Sequence, residues 1–385
     1  MAKLGEVCDI LNGYAFKSNQ YTTSGVRIIR ISNVQKGYIE DKSPVYYPCD
    51  DENVKKYELK QNDLLISLTG NVGRTALLEE KFLPAALNQR VSCVRLKEPD
   101  KVLKTYLFHL LNSDYFEQQC MKVAEGVAQK NLSPKWLFEY KIPIYSIERQ
   151  KEISNTLDKI DLLIILRKQQ LAKLNELVKA RFVEMFGTFP ANPFRWDTGK
   201  IQDVVSDVRY GSSRPAVEGG KYPYLRMNNI TYSGELDLRD TKRIDIPDSE
   251  LDKCTVRRGD VLFNRTNSKE LVGKTCVYNR DELMVLAGFV IRVRVNERIR
   301  PEVLSAFLNM DFSKRMLIGM CKTAIGQANI NAKELQNIDL YIPPIELQDQ
   351  FVALKNKIDQ QKQTVQQSLE KLELMKKALM QEYFG

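Results

Sequence analysis

Histidine is nearly absent from this chain of 385 residues: the only one, His109, lies in the apolar run Tyr106-Leu107-Phe108-His109-Leu110-Leu111. That excludes a His-dependent catalytic triad and a multi-histidine metal site, and it makes His109 a buried, hydrogen-bonded imidazole rather than a base. Seven cysteines (Cys8, Cys49, Cys93, Cys120, Cys254, Cys276 and Cys321) occur without a single C-x-x-C pair. Zinc fingers and a disulfide framework are thereby excluded, and the thiols read as reduced, mostly buried small side chains. No G-x-G-x-x-G occurs, so no glycine-rich cradle for a dinucleotide or a methyl donor is present. Leu271-Val272-Gly273-Lys274-Thr275 ends like a phosphate-cradling loop, but the earlier glycine that such a loop needs is Ser268. Asn192-Pro193-Phe194-Arg195 lacks the second proline of an N-P-P-Y motif and lies in a linker. Asp237 with Asp240-Thr241-Lys242 has the residue types of a nuclease centre, yet reads better as a charged turn at a strand edge. The residues thus offer no catalytic centre, no metal site and no cofactor pocket. No stretch of 18 or more uncharged apolar residues occurs, and the N-terminus carries no apolar run of signal-peptide length. The expectation is a cytoplasmic protein with no membrane partner.

What is present is apolar content of 43%, with 9% aromatics, enough for roughly two to three globular domains. Lys and Arg number 58 against 49 Asp and Glu, and the net charge of +9 favours a polyanionic partner such as nucleic acid.

The second half of the chain echoes the first at an offset of about 198 residues. Asp9 and Gly13 recur as Asp207 and Gly211, and Arg30 with Asn33 as Arg226 with Asn229. Asn62-Asp63-Leu64-Leu65-Ile66 corresponds to Gly259-Asp260-Val261-Leu262-Phe263, and Gly73-Arg74-Thr75 to Gly273-Lys274-Thr275. Leu111-Asn112-Ser113-Asp114 matches Leu308-Asn309-Met310-Asp311, and Gln129-Lys130-Asn131 matches Gln327-Ala328-Asn329. Ile142-Pro143 and Gln150 return as Ile342-Pro343 and Gln350, and Glu184-Met185-Phe186-Gly187 as Glu382-Tyr383-Phe384-Gly385.

Each repeat has two parts. Residues 1–145 and 188–343 mix short β-branched and aromatic runs with Gly, Asn and Pro, the pattern of short strands and exposed loops. One amphipathic helix is expected near Lys101–Val123 and its counterpart near Pro301–Cys321, so the fold class is α+β: two tandem mixed α/β domains. Residues 146–187 and 344–385 differ in character. From Glu148 to Phe186 there is no Gly or Pro, and Ile153, Leu157, Ile160, Ile164, Leu171, Leu174, Val178 and Met185 fall at alternating steps broken by Arg167 and Arg181. Leu354, Ile358, Val365, Leu372, Met375 and Leu379 keep the same rhythm, broken by Gln361 and Ser368. Each is a heptad seam on one helix of roughly 55 Å. A helix that long cannot cover its stripe with its own domain, so the two are expected to pack on each other.

Reading DNA requires cations for phosphates, and amide, hydroxyl or Arg groups on exposed loops for base edges. Both repeats supply them in matching places. In the first, Ser67, Thr69, Gly70, Asn71 and Arg74 lie on a polar loop after a strand, with Arg27, Arg30, Asn33, Gln89 and Arg90 as further donors. In the second, the matching loop carries Asn264, Arg265, Asn267 and Lys274, joined by Arg209, Tyr210, Ser212, Ser213, Arg214, Arg226 and Asn228. Gln129, Lys130 and Asn131, with Gln327 and Asn329 opposite them, precede predicted helices; there Ser133 and Asn331 serve equally well as helix N-caps or as DNA contacts.

The duplicated plan, the stretches Gly126-Val127-Ala128-Gln129-Lys130-Asn131 and Ile325-Gly326-Gln327-Ala328-Asn329, the I-P-I and I-P-P segments and the two long helices together resemble the specificity subunits of type I restriction-modification enzymes. The resemblance covers the whole chain; it departs at Gly126, whose equivalent is Ala324. It implies two target recognition domains, each reading one half of a split asymmetric site on double-stranded DNA. It further implies an antiparallel coiled coil that docks two methyltransferase subunits, and translocase/nuclease subunits that complete the restriction complex. S-adenosylmethionine, ATP and magnesium would then belong to those partners, and this chain would be non-catalytic. Two readings compete: a stand-alone DNA-modifying enzyme, which should act when purified alone, and a coiled-coil protein scaffold, which should show no salt-sensitive DNA affinity.

Overall fold

Strand Val26–Ile29 is β-branched and buried at three of its four positions, and it pairs in parallel with Ala85–Leu87. In the computed structural model, which describes residues 1–124, 131–268, 270–321 and 328–385, that pair forms the middle of a four-stranded sheet. Its flanks are Tyr46–Tyr47 beside Val26–Ile29 and Glu58–Leu59 beside Ala85–Leu87. A second, wholly antiparallel sheet has the order Cys8–Asn12, Val91–Leu96, Leu64–Ser67, Thr75–Leu77. Side chains alternate across a strand. Leu64 and Ile66 therefore face helices Lys104–Leu111 and Asp114–Ala124, while Leu65 faces the interior between the two sheets with Ile29, Leu87 and Cys93.

The second repeat folds the same way. One sheet has the order Val205–Tyr210, Val290–Val295, Val261–Asn264, Thr275–Val277; the other has Lys242–Ile244, Tyr222–Leu225, Met284–Leu286, Thr255–Val256. Val261 and Phe263 face helices Pro301–Asn309 and Asp311–Met320, and Leu262 faces the intersheet core. Small antiparallel pairs, Ala2–Lys3 with Lys141–Ile142 and Asp197–Lys200 with Asp339–Ile342, tie the ends of each mixed domain together.

The amphipathic helix expected over Lys101–Val123 is two helices, broken at Asn112-Ser113, where Asn112 Nδ2 donates to the Phe108 carbonyl at 2.9 Å and Ser113 Oγ to Leu110 at 2.7 Å. Side chains that satisfy the last carbonyls of a helix end it. The second repeat breaks likewise at Met310.

The long helices are Ile147–Phe186 and Ile345–Phe384, each of 40 residues. The chain divides into two compact units, residues 1–167 with 367–385 and residues 168–366, so the division passes through both long helices rather than at their ends. In the first unit Asp161 pairs with Lys376, and Arg167 Nε donates to Ser368 Oγ at 3.2 Å, so the helices run in opposite directions and two of the polar breaks in the seams meet each other. Ile153 and Leu157 are buried there with Met380 and Phe384. In the second unit Phe182 and Phe186 pack edge-to-face against Phe351, with centroids 5.6 and 5.3 Å away.

The seam differs from its sequence reading in one row. Ile358 and Val365 are buried as expected, with Leu354, Leu372 and Leu379 half-buried. The alternate row is Lys362, Leu369, Lys376 and Tyr383, one residue later than expected, and Met375 is an exposed side chain. A lysine can line a seam with its aliphatic stem while its ammonium reaches a carboxylate: Lys362 reaches Glu235, and Lys376 reaches Asp161. In the first helix Ile153, Leu157, Ile160 and Ile164 are buried, Leu171, Leu174 and Val178 half-buried, and Phe182 rather than Arg181 continues the row.

Candidate nucleic-acid interface

Three loops meet at one edge of the antiparallel sheet in the first unit. Leu68, just past strand Leu64–Ser67, donates its N–H to the Arg90 carbonyl at 2.8 Å and accepts from Leu132 N at 2.7 Å, while Thr69 bridges to Asn131. The second unit repeats this frame. Arg265 N donates to the Phe289 carbonyl at 3.0 Å, the Arg265 carbonyl accepts from Ile330 N at 2.9 Å, and Thr266 pairs with Asn329. The loop after the neighbouring strand is seated by a glycine in each unit. A Cβ on Gly13 would lie 1.9 Å from the Asn88 carbonyl oxygen, and one on Gly211 would lie 2.1 Å from that of Leu286. Only glycine permits that approach, which lets Gln89 N reach the Tyr14 carbonyl and Gly288 N the Ser212 carbonyl, each at 2.7 Å.

The expected DNA-facing side chains divide between scaffold and surface. Asn33 is buried: its Oδ1 accepts from Arg30 N at 2.8 Å and its Nδ2 donates to the Glu40 carbonyl at 2.9 Å. Asn229 closes the equivalent turn through Arg226 N and the Asp237 carbonyl, each at 2.8 Å, while Asn228 stands exposed beside it. Ser67 is buried, its hydroxyl bonded to the Asn71 carbonyl and accepting from Arg74 N at 3.0 Å. Thr69 and Ser212 are buried as well.

Lys274 is buried, with Nζ on the Met227 carbonyl at 3.0 Å, and desolvation holds its pKa below the usual lysine value. It braces a turn, and the GKT segment forms no phosphate cradle. Asn264 is fully buried, and neither side-chain atom has a partner among the described residues.

Six of the eight expected arginines have partners. Arg27 pairs with Asp41, Arg30 donates to the Ser43 carbonyl at 2.7 Å, and Arg74 to Gln35 Oε1. Arg209 pairs with Asp207 at 2.8 Å, Arg214 with Glu250 at 2.8 Å and Arg226 with Asp240 at 2.9 Å. Arg90 and Arg265 have no hydrogen-bonding or ionic side-chain partner among the described residues. Arg90 is exposed, with φ of 68°, and the Arg265 guanidinium lies over the Tyr210 ring at 4.7 Å. Gly70, Asn71, Gln89, Asn131, Ser213 and Asn329 are also exposed, and Asn267 is half-buried. Gln129, Lys130 and Gln327 lie outside the described residues. Ser133 and Asn331 act as helix caps, accepting from Trp136 N at 3.1 Å and Glu334 N at 2.9 Å.

One surface residue escaped the sequence reading: Phe289, 55% exposed, which falls in an apolar run and so looks like core. The two ends of the long helices hide a further pair. Gln150 is fully buried, accepting from Leu103 N and donating to the Lys101 and Tyr145 carbonyls. Its equivalent is Gln348, which binds Arg300 N and the Arg298 and Pro343 carbonyls, and not the exposed Gln350.

His109 is buried, its Nε2 lies 2.8 Å from Asp158 Oδ1, and desolvation lowers its pKa despite that carboxylate. Among the described residues there is no cluster of His, Cys, Asp or Glu fit to hold a metal ion, and no helix is long and apolar enough to cross a membrane.

The family model for the type I restriction modification DNA specificity domain matches residues 1–176 and again 193–374. The chain is 22% identical over 378 residues to the type I restriction enzyme EcoKI specificity subunit of Escherichia coli (strain K12), a match covering 91% of this chain and 80% of that one. It is 32% identical over 186 residues to the MjaVIII specificity subunit of Methanocaldococcus jannaschii, covering 46% of this chain and 43% of that one. Among solved structures, the type I restriction-modification S subunit from M. genitalium matches with a TM-score of 0.58 at 15% identity, covering 100% of this chain and 95% of that one. A chain from a structure on assembly and conformational transition of the type I R-M system matches with a TM-score of 0.59 at 20% identity, covering 100% and 96%. With the domain present in both halves, the chain belongs to the family of type I restriction-modification DNA specificity subunits.

Proposed function

We propose that each unit reads one half of a bipartite, asymmetric DNA site, and that the chain itself carries out no chemistry. The observation that carries this reading is that the family domain occurs twice on one backbone frame whose loop side chains differ: Leu68 and Arg90 in one unit occupy the places of Arg265 and Phe289 in the other. A shared frame gives both units the same approach to a duplex, and unlike side chains give them unlike half-sites. The net charge of +9 supplies the sequence-independent attraction to phosphates.

The partners are two methyltransferase subunits, which hold S-adenosylmethionine, and translocase/nuclease subunits, which use ATP and magnesium. Leu162, Leu163, Ile165 and Leu166 on the first long helix are exposed, as are Leu374 and Met375 on the second. Side chains of that kind, left out of the seam, suit a protein partner. The test is to map methylated adenines in a host that carries the partner genes, with and without this gene. The expected result is one bipartite methylated sequence that vanishes on deletion; an unchanged methylation map would sink the proposal.

A further inference from the structure

The two units differ most sharply at a single backbone rung. In the first unit the rung joins Leu68 N–H to the Arg90 carbonyl, and in the second it joins Arg265 N–H to the Phe289 carbonyl. One side of the rung carries an arginine and the other an apolar residue in both units, but the two have changed places. Leu68 is buried and Arg90 exposed, whereas Arg265 is half-buried and Phe289 is 55% exposed. These are also the two expected arginines with no carboxylate, amide or carbonyl on the side chain among the described residues. The other six are tied to Asp41, Ser43, Gln35, Asp207, Glu250 and Asp240, so part of each of those guanidinium groups is already engaged within the fold.

We infer that this rung is the specificity-determining position of each unit, with Arg265 in the second and Arg90 in the first donating to the major-groove edge of a guanine in the respective half-site. The inference rests on the DNA-reading role proposed above. Three features favour a base edge over a phosphate. First, the Arg265 backbone is held on both sides, by Phe289 O at 3.0 Å and Ile330 N at 2.9 Å, so the side chain starts from a fixed point. Second, the guanidinium lies over the Tyr210 ring, and that ring is itself anchored where its hydroxyl accepts from Ala332 N at 2.8 Å. In the first unit Asn12 occupies the place of Tyr210, so the platform is present only where the half-buried arginine needs it. Third, Arg265 Nε is buried without a partner, which leaves the terminal fork as the exposed donor pair, the geometry that matches guanine O6 and N7. Arg90 reaches the surface by another device: its left-handed backbone, with φ of 68°, turns it out from the rung, a conformation a non-glycine residue keeps only when its surroundings enforce it. Phe289, exposed beside Arg265, offers an apolar contact to the neighbouring base.

The experiment uses the full chain co-expressed with its methyltransferase subunits, and reads the methylated sequence across the host genome for wild type, Arg265→Ala, Arg265→Lys and Arg90→Ala. Arg265→Ala is expected to leave one half-site intact and make a single guanine position of the other degenerate, with discrimination there falling roughly ten- to a hundredfold. Arg265→Lys keeps the charge but not the fork, so it relaxes the same position while its thermal unfolding stays that of wild type. Should Arg265→Ala not fold, the lysine variant decides alone. Arg90→Ala relaxes one position in the opposite half-site. The inference is overturned if methylation falls uniformly with every position retained, which would make these phosphate contacts, or if the motif is unchanged, or if one substitution alters both halves. A wild-type motif with no guanine in one of its halves overturns it too. A wild-type chain that directs no bipartite methylation sinks the DNA-reading role instead.

Discussion

Asn33 and Asn229 show how a residue with the right chemistry for reading bases can be committed to the fold. Each closes a turn with both halves of its amide, Asn33 through Arg30 N and Glu40 O, Asn229 through Arg226 N and Asp237 O. With the asparagine side chain gone, a part-buried N–H and a part-buried carbonyl lose their partners, and each such loss costs about 1 kcal/mol, the low end of the range for buried groups. Asn33→Ala is therefore expected to lower stability by about 2 kcal/mol in a denaturant titration, while the methylated sequence in cells stays that of wild type. A changed sequence with unchanged stability would return Asn33 to the DNA surface. Composition cannot make this distinction, because an asparagine on a polar loop looks the same whether it faces water or its own backbone. The same ambiguity hid Ser67, Thr69 and Lys274, all of which turned inward, and it concealed Phe289, which turned outward.

At the scale of elements, the seams of the long helices were legible because their apolar spacing is unbroken by Gly or Pro, and the duplication was legible because paired motifs kept their order. Two features were not. A pattern of apolar residues alone places Met375 in the seam, whereas Lys376 and Lys362 line it with their stems; reading this needs the carboxylates Asp161 and Glu235, which are remote in sequence. The repeat offset also drifts by a residue or two between motifs, so Gln150 was matched to Gln350 although Gln348 makes the equivalent three hydrogen bonds. The seam makes a sharp comparison possible. Phe351 is buried against Phe182 and Phe186, and Phe351→Ala is expected to cost about 3–5 kcal/mol through lost burial and a cavity. Met375→Ala, at a side chain 45% exposed, is expected to change stability by no more than about 0.5 kcal/mol. Equal losses in the two titrations would return Met375 to the seam.

At the scale of the whole molecule, the question is whether one reading domain can be exchanged without disturbing the other. The first mixed domain is tied off by Ala2–Lys3 pairing with Lys141–Ile142, and its intersheet core draws only on residues within 1–145. Its other core does not stop there: Tyr106 packs on Phe384 with centroids 5.6 Å apart, and Ile153, Leu157 and Met380 complete the cluster. A graft at residue 145 therefore succeeds only with a donor domain whose helices fit those four helix side chains. Given such a donor from a relative with a different known target, exchange of residues 1–145 is expected to replace one half of the methylated sequence with the donor's half and to keep the other half unaltered. The reason is local: among the described residues, Arg265, Tyr210, Phe289 and the loop frame around them make their backbone and ring contacts within residues 168–366, which the graft leaves in place. Sequencing of methylated adenines in cells carrying the chimera checks this directly, and a change in both halves would show that the two units read DNA as one indivisible surface.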